Sequence, residues 1–150
     1  MPAHARTRTT PARLALGFVG GFLSTLVFHQ LTLLFLASVG FVKANVFVMN
    51  PVPPFGVPLV ISLAFWGGVW GIIFATVERS FPAGPGYWLA TFLFGAIAPT
   101  LVAWFVVASI KGQPIAAGWQ PFRMLTGLII NGAWGVGTGL FLTAAAGASR

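Results

Sequence analysis

The chain has no cysteine and one carboxylate, Glu78. Without cysteine there is no disulfide, no thiolate metal site and no cysteine nucleophile. Acid–base catalysis usually needs two or three ionisable groups with separated pKa values. The chain offers Glu78, His4 and His29, far apart in sequence and in expected depth. A metal site needs three or four N, O or S ligands, and one deep histidine does not supply them. A membrane b-type haem needs axial ligands on facing helices; with only His29 deep enough, it would require a dimer or a Met partner. No Walker, Rossmann or zincin motif is present. No enzymatic activity and no cofactor is expected. Charge of either sign is scarce as well, at 6% of residues, against 57% apolar. Soluble domains carry about 25% and about 45–50%.

Four long apolar runs fill the rest, at about residues 14–39, 57–77, 86–110 and 124–146. Each reaches the ~20 residues that a helix needs to cross a ~30 Å hydrocarbon core. Backbone in lipid must satisfy its own hydrogen bonds, so helices are the default spanning form. The fold expected is all-α, an integral-membrane four-helix bundle. The division expected is a basic polar arm over 1–13, one membrane domain over 14–146, and a short tail over 147–150.

The net charge of +7 comes from six Arg and two Lys set against Glu78. In a soluble protein that excess would point to nucleic acid. Here the cations flank apolar runs, so the partner expected is a bilayer with anionic headgroups and not nucleic acid. The first run is longer than the h-region of a signal peptide, so a retained first helix is expected. With the N-terminus inside, Arg6, Arg8, Arg13, Arg79 and Arg150 lie inside, and Lys43, Lys111 and Arg123 lie outside. The excess favours both termini in the cytoplasm.

The two halves look alike. Trp66-Gly67-Gly68-Val69-Trp70-Gly71 aligns with Trp134-Gly135-Val136-Gly137-Thr138-Gly139 at a shift of 68, and Lys43 aligns with Lys111 at the same shift. Thr25-Leu26-Val27 aligns with Thr100-Leu101-Val102 at a shift of 75. The matches keep their order, which predicts a duplicated two-helix hairpin, a parallel repeat about an axis along the membrane normal.

Small and polar residues recur every three or four positions and so share a helix face. The stripes are Gly17, Gly21, Thr25, His29 and Thr32; Ala64, Gly67, Gly71 and Ala75; Thr91, Gly95 and Ala98-Pro99; and Gly127, Asn131, Gly135, Gly139 and Thr143. They read as packing seams, because helices in lipid associate over small residues and interhelical hydrogen bonds. The spacing of Gly67 with Gly71 and of Gly135 with Gly139 would equally serve a homodimer. His29 is the deepest ionisable residue, and such a residue is a functional candidate. A midplane polar group of His29, Gln30, Asn131, Thr25 and Thr100 is expected. His29 would bond Asn131 or the Trp66 indole, and Gln30 would face elsewhere with its own partner. Lys43 and Lys111, in matching outer connections, are candidates for an anion or a lipid headgroup.

The stretch from Pro54-Phe55-Gly56 through Trp66-Gly67-Gly68-Val69-Trp70-Gly71, with Phe28-His29-Gln30, resembles a group of small hypothetical bacterial inner-membrane proteins. The resemblance spans the four helices. It implies a bacterial inner-membrane setting and brings no activity. Two roles fit the sequence. One is a non-enzymatic bundle that acts by association, as an accessory subunit, a homodimer or part of a larger membrane complex. The other is a small transporter or channel with its site near His29.

Overall fold

The computed structural model describes residues 10–148. Residues 1–9 of the expected arm, with Arg6 and Arg8, and residues 149 and 150 lie outside the described residues. Four helices form: α1 (Pro11–Ser38), α2 (Leu59–Ser80), α3 (Pro85–Ile110) and α4 (Pro121–Ala148). Each is long and apolar enough to cross a membrane. The shortest, at 22 residues, spans about 33 Å at 1.5 Å per residue.

Three of the four starts are set by proline. Pro11, Pro85 and Pro121 each occupy the first helical position, where the missing N–H is no loss. This is why α1 and α4 begin three residues before the apolar runs do. Thr10 caps α1, its hydroxyl accepting from the Arg13 N–H at 3.3 Å. Helix α2 follows Pro58 and has no side-chain cap. Its first donors go instead to the preceding connection: Leu59 N–H to Asn50 O at 3.0 Å and Val60 N–H to Val48 O at 3.0 Å. That satisfies groups otherwise left orphaned at a helix start. The same connection contains a small antiparallel ladder, β1 (Pro51–Val52) with β2 (Val57–Pro58). Prolines forbid regular helix here but are tolerated at strand ends and edges.

Helices α1 and α3 end alike. Gly40 and Gly112 hold φ of +74° and +62°. The next residue then donates back five positions, Phe41 to Leu36 at 2.9 Å and Gln113 to Ala108 at 2.8 Å. This closure satisfies the final carbonyls and needs a left-handed residue, which glycine supplies.

The helices pair as two antiparallel hairpins, α1 with α2 and α3 with α4, joined mainly through α1 and α4. Glycine makes each hairpin seam. A methyl built on Gly71 would lie 2.0 Å from Gly17 O, and one on Gly21 would lie 2.1 Å from Gly67 O. In the second hairpin, one on Gly95 would lie 2.2 Å from Asn131 O, and one on Gly135 would lie 2.2 Å from Thr91 O. The backbones touch, which is the packing expected where lipid provides no hydrophobic drive. Between the hairpins the Trp134 indole donates to Gly21 O at 2.9 Å. Phe74, fully buried, sets its ring edge-on to Phe81, Phe94 and Trp134, at 5.4 to 6.3 Å. These rings fill the space where α2 and α3 approach.

The seams relate Gly71 to Gly135, since each meets the carbonyl of its partner helix at the same point of the hairpin. That is an offset of 64, one helical turn away from the offset of 68 read from the tryptophans. Trp66 is 58% exposed, whereas Trp134 is 3% exposed. The two tryptophans are therefore not equivalent.

Candidate functional site

The most concentrated chemistry lies where the start of α1, the end of α2 and the start of α3 converge. Arg13 Nη2 donates to Glu78 Oε1 in an ion pair. The Tyr87 hydroxyl is 3.1 Å from Glu78 Oε2 and 3.4 Å from Gly139 O. One hydroxyl proton serves one of the two acceptors at a time, and the shorter contact to the charged oxygen is the stronger. The chain's single carboxylate is thus buried, at 4% exposure, with a donor on each oxygen. Four helices contribute: α1 through Arg13, α2 through Glu78, α3 through Tyr87 and α4 through Gly139.

Each charge opposes its own helix dipole. Arg13 sits in the first turn of α1 and Glu78 in the last turn of α2, the reverse of the favourable placement. Neither position is explained by its own helix, and the pairing across the hairpin compensates both. Arg13 Nε is buried without a hydrogen-bond partner among the described residues. The arrangement is an electrostatic clasp on the helix ends.

The seam register makes this contact legible in retrospect. Gly17 lies against Gly71 and Gly21 against Gly67. Four residues before Gly17, Arg13 therefore lies near Ala75, one turn from Glu78. In the sequence alone, Arg13 serves only to assign orientation and Glu78 stands only as the lone carboxylate.

The expected midplane group divides in two. His29 bonds neither Asn131 nor Trp66. Its ring Nδ1 lies 3.2 Å from Gln30 Nε2, so the two residues expected to face apart are partners. Gln30 is the buried one, at 3% exposure, and its Oε1 accepts from the Phe47 N–H at 2.8 Å. The reason is a π-helical turn over Thr25–His29, in which the Gln30 N–H reaches back to Thr25 O. The extra residue rotates the helix face, so the stripe Gly17, Gly21, Thr25 continues to Gln30 and not to His29. Depth differs too. Helix α2 starts opposite this point of α1, and the final turns of α1 run beside the connection 40–58. His29 and Gln30 thus lie where that connection folds back onto α1.

On the other hairpin, Asn131 Nδ2 donates to Thr100 Oγ1 at 2.8 Å, and Thr100 Oγ1 lies 3.4 Å from Gly127 O. Thr25 bonds within its own helix, to Gly21 O at 3.0 Å. Helix α3 carries its own π-helical segment, Val102–Val107, just after Pro99. The packing glycines Gly17, Gly21, Gly67, Gly71 and Gly135 all lie in the intrachain seams. Gly139 is looser, its built methyl meeting the Thr91 methyl at 2.8 Å and the Tyr87 hydroxyl at 3.2 Å. Lys43 and Lys111 are exposed in the connections at the opposite end from the clasp. Among the described residues, no three of His, Asp and Glu gather to hold a metal ion. Surface clefts among the described residues include these two. An apolar one lies between α1 and α4, lined by residues that include Val27, Phe28, Gly137 and Phe141. The other lies in the connection 111–123. His29 lines neither.

The Gln30 contact carries a prediction. Gln30→Leu removes the acceptor of the Phe47 N–H and is expected to cost about 1 kcal/mol. Amide exchange at residues 45–50 should quicken while the helices stay protected. His29→Gln should change neither. Unchanged exchange at Phe47 in Gln30→Leu would show that the connection is held by other contacts.

The chain matches no protein-family profile, no curated protein and no solved structure.

Proposed function

We propose that the chain is a bacterial inner-membrane protein with four spans and both termini in the cytoplasm. It acts by association, as an accessory subunit or a homo-oligomer, and not by catalysis. The observation that carries this reading is that the polar side chains Glu78, Gln30 and Asn131 are engaged within the chain itself. Both oxygens of Glu78 take donors, both amide atoms of Gln30 are engaged, and Asn131 is bound to Thr100. A solute path would need such groups free, facing water. The seam glycines pack within one chain, so an oligomer would form through other surfaces. Duplication remains part of the proposal. It is supported by the matching glycine closures, glycine seams and π-helical segments, in the same order in both hairpins.

Transport near His29 is the competing reading, and one observation favours it: π-helical turns, such as the one ending at His29, recur at functional sites. Proton or ion flux from purified protein in liposomes separates the two. The proposal expects no flux above protein-free vesicles at any pH between 5 and 8. Flux that His29→Gln abolishes while the fold persists would establish transport instead.

Orientation is tested with single cysteines, for which the cysteine-free chain is a clean background. In spheroplasts, Asn45→Cys should react with an impermeant thiol reagent, and Ala83→Cys should react only after lysis. The opposite pattern would invert the topology and put the clasp outside.

A further inference from the structure

The connection between α3 and α4 builds a cleft of about 400 Å³, lined by Gln113, Pro114, Ala117, Gly118, Gln120 and Arg123. Its wall is a left-handed turn. Ala116, Ala117, Gly118 and Trp119 hold φ of +49°, +54°, +69° and +56°. Ala116 is fully buried beneath the turn, which anchors that wall to the bundle.

The lining charge is one-sided. Gln113, Gln120 and Arg123 bring N–H donors, and no carboxylate lines the cleft. None is left in the chain's side chains to neutralise Arg123, because Glu78 is bound to Arg13 at the other end. The remaining cations of this end lie close by in the chain. Lys111 is two residues before Gln113. Lys43 is two residues after Phe41, whose ring packs edge-on against Phe122 at 5.3 Å. Beside this polar cleft stand exposed apolar side chains: Ile110 at 80%, Trp119 at 64% and Phe122 at 61%. Donors and uncompensated cations next to exposed apolar surface match an amphiphile with an anionic head.

We propose that this cleft binds the phosphodiester headgroup of an anionic phospholipid. Arg123, Gln113 and Gln120 donate to the phosphate oxygens, and Ile110, Trp119 and Phe122 lie along the acyl chains. Lys43 and Lys111, read from the sequence as the anion-binding pair, supply the surrounding field. A choline or ethanolamine head is disfavoured, since its ammonium finds cations and no carboxylate. The site rests on the membrane reading above.

The test uses the purified protein in nonionic detergent micelles doped with phosphatidylglycerol or phosphatidylcholine. The readouts are the thermal midpoint and the lipid retained in native mass spectrometry. Phosphatidylglycerol should raise the midpoint and be retained, and phosphatidylcholine should do neither. Arg123→Gln should weaken the apparent affinity for phosphatidylglycerol about fivefold, equivalent to about 1 kcal/mol for one cation near a membrane surface. Gln113→Ala with Gln120→Ala should weaken it as well, and provides a second arm if Arg123→Gln fails to fold. Equal retention of both lipids, or unchanged affinity in both variants, overturns the site. Inorganic phosphate alone reproducing the midpoint shift, with Arg123→Gln abolishing it, would assign the cleft to soluble phosphate and overturn the lipid assignment. A protein that stays monodisperse without detergent would refute the membrane reading itself, a result distinct from a membrane protein that shows no lipid preference.

Discussion

Gly71→Leu is expected to leave no folded bundle in detergent, and even Gly71→Ala should lower the thermal midpoint sharply. The added Cβ would lie 2.0 Å from Gly17 O, a backbone atom that cannot rotate away. Overpacking of a tight core typically costs about 1–3 kcal/mol. Here relief requires α1 and α2 to separate along the whole seam, so the leucine variant should exceed that range. Gly135→Ala should behave like Gly71→Ala, since its Cβ would lie 2.2 Å from Thr91 O. Gly139→Ala should be milder, because the atoms it meets belong to the Thr91 and Tyr87 side chains. Gly147→Ala meets nothing within 4 Å and should be silent or slightly stabilising, as alanine is the better helix former. Thermal melts of the four alanine variants rank the seam directly. A Gly71→Ala midpoint equal to that of Gly147→Ala would place the seam elsewhere.

Arg13→Ala is expected to destabilise the protein by about 3–5 kcal/mol, the range for removing one partner of a buried ion pair. It leaves Glu78 buried without its guanidinium partner, the Tyr87 hydroxyl still donating to Oε2. Glu78→Gln should cost less. The Arg13 side chain is 18% exposed against 3% for Glu78, so the stranded guanidinium can reach water. Tyr87→Phe removes one hydrogen bond to a charged group, worth about 1.5–3 kcal/mol. Arg13→Met combined with Glu78→Gln should recover much of the loss, because a buried pair replaced as a unit leaves no orphan charge. A double-mutant cycle in detergent measures the coupling. A coupling near zero would mean that the two charges are solvated separately and that the clasp does not hold the helix ends.

Which parts were legible in the sequence follows from the range of each signal. The four helices came from apolar length, a local feature, whereas α1 and α4 start three residues before their apolar runs, at Pro11 and Pro121. The seams came from glycine spacing, and the stripe of α1 held through Gly17, Gly21 and Thr25. It failed one turn later. A π-helical turn inserts a residue, and no residue in Thr25–His29 announces one, so the face passed to Gln30. The partner of Gln30, a backbone N–H seventeen residues away at Phe47, carries no sequence signal at all. The clasp was hidden differently. Arg13, Glu78 and Tyr87 are each unremarkable at a helix end, and they join only once the hairpin register is fixed. The tryptophan alignment misled because Trp66 and Trp134 share a motif and not an environment. Four consecutive residues at positive φ, three of them not glycine, likewise escape propensity, which places left-handed backbone at glycine.

The bundle is closed through its centre, and thiol labelling at Thr138 probes that closure. Thr138 is fully buried on α4, its hydroxyl bonded to Trp134 O at 2.9 Å. Thr138→Cys would be the only thiol in the chain. In liposomes, with a small charged thiol reagent on both sides, Ala83→Cys should react readily and Thr138→Cys should remain unmodified until the protein is denatured. Reaction of Thr138→Cys in the folded protein, at a rate near that of Ala83→Cys, would mean that water reaches the centre of the bundle and would contradict the account.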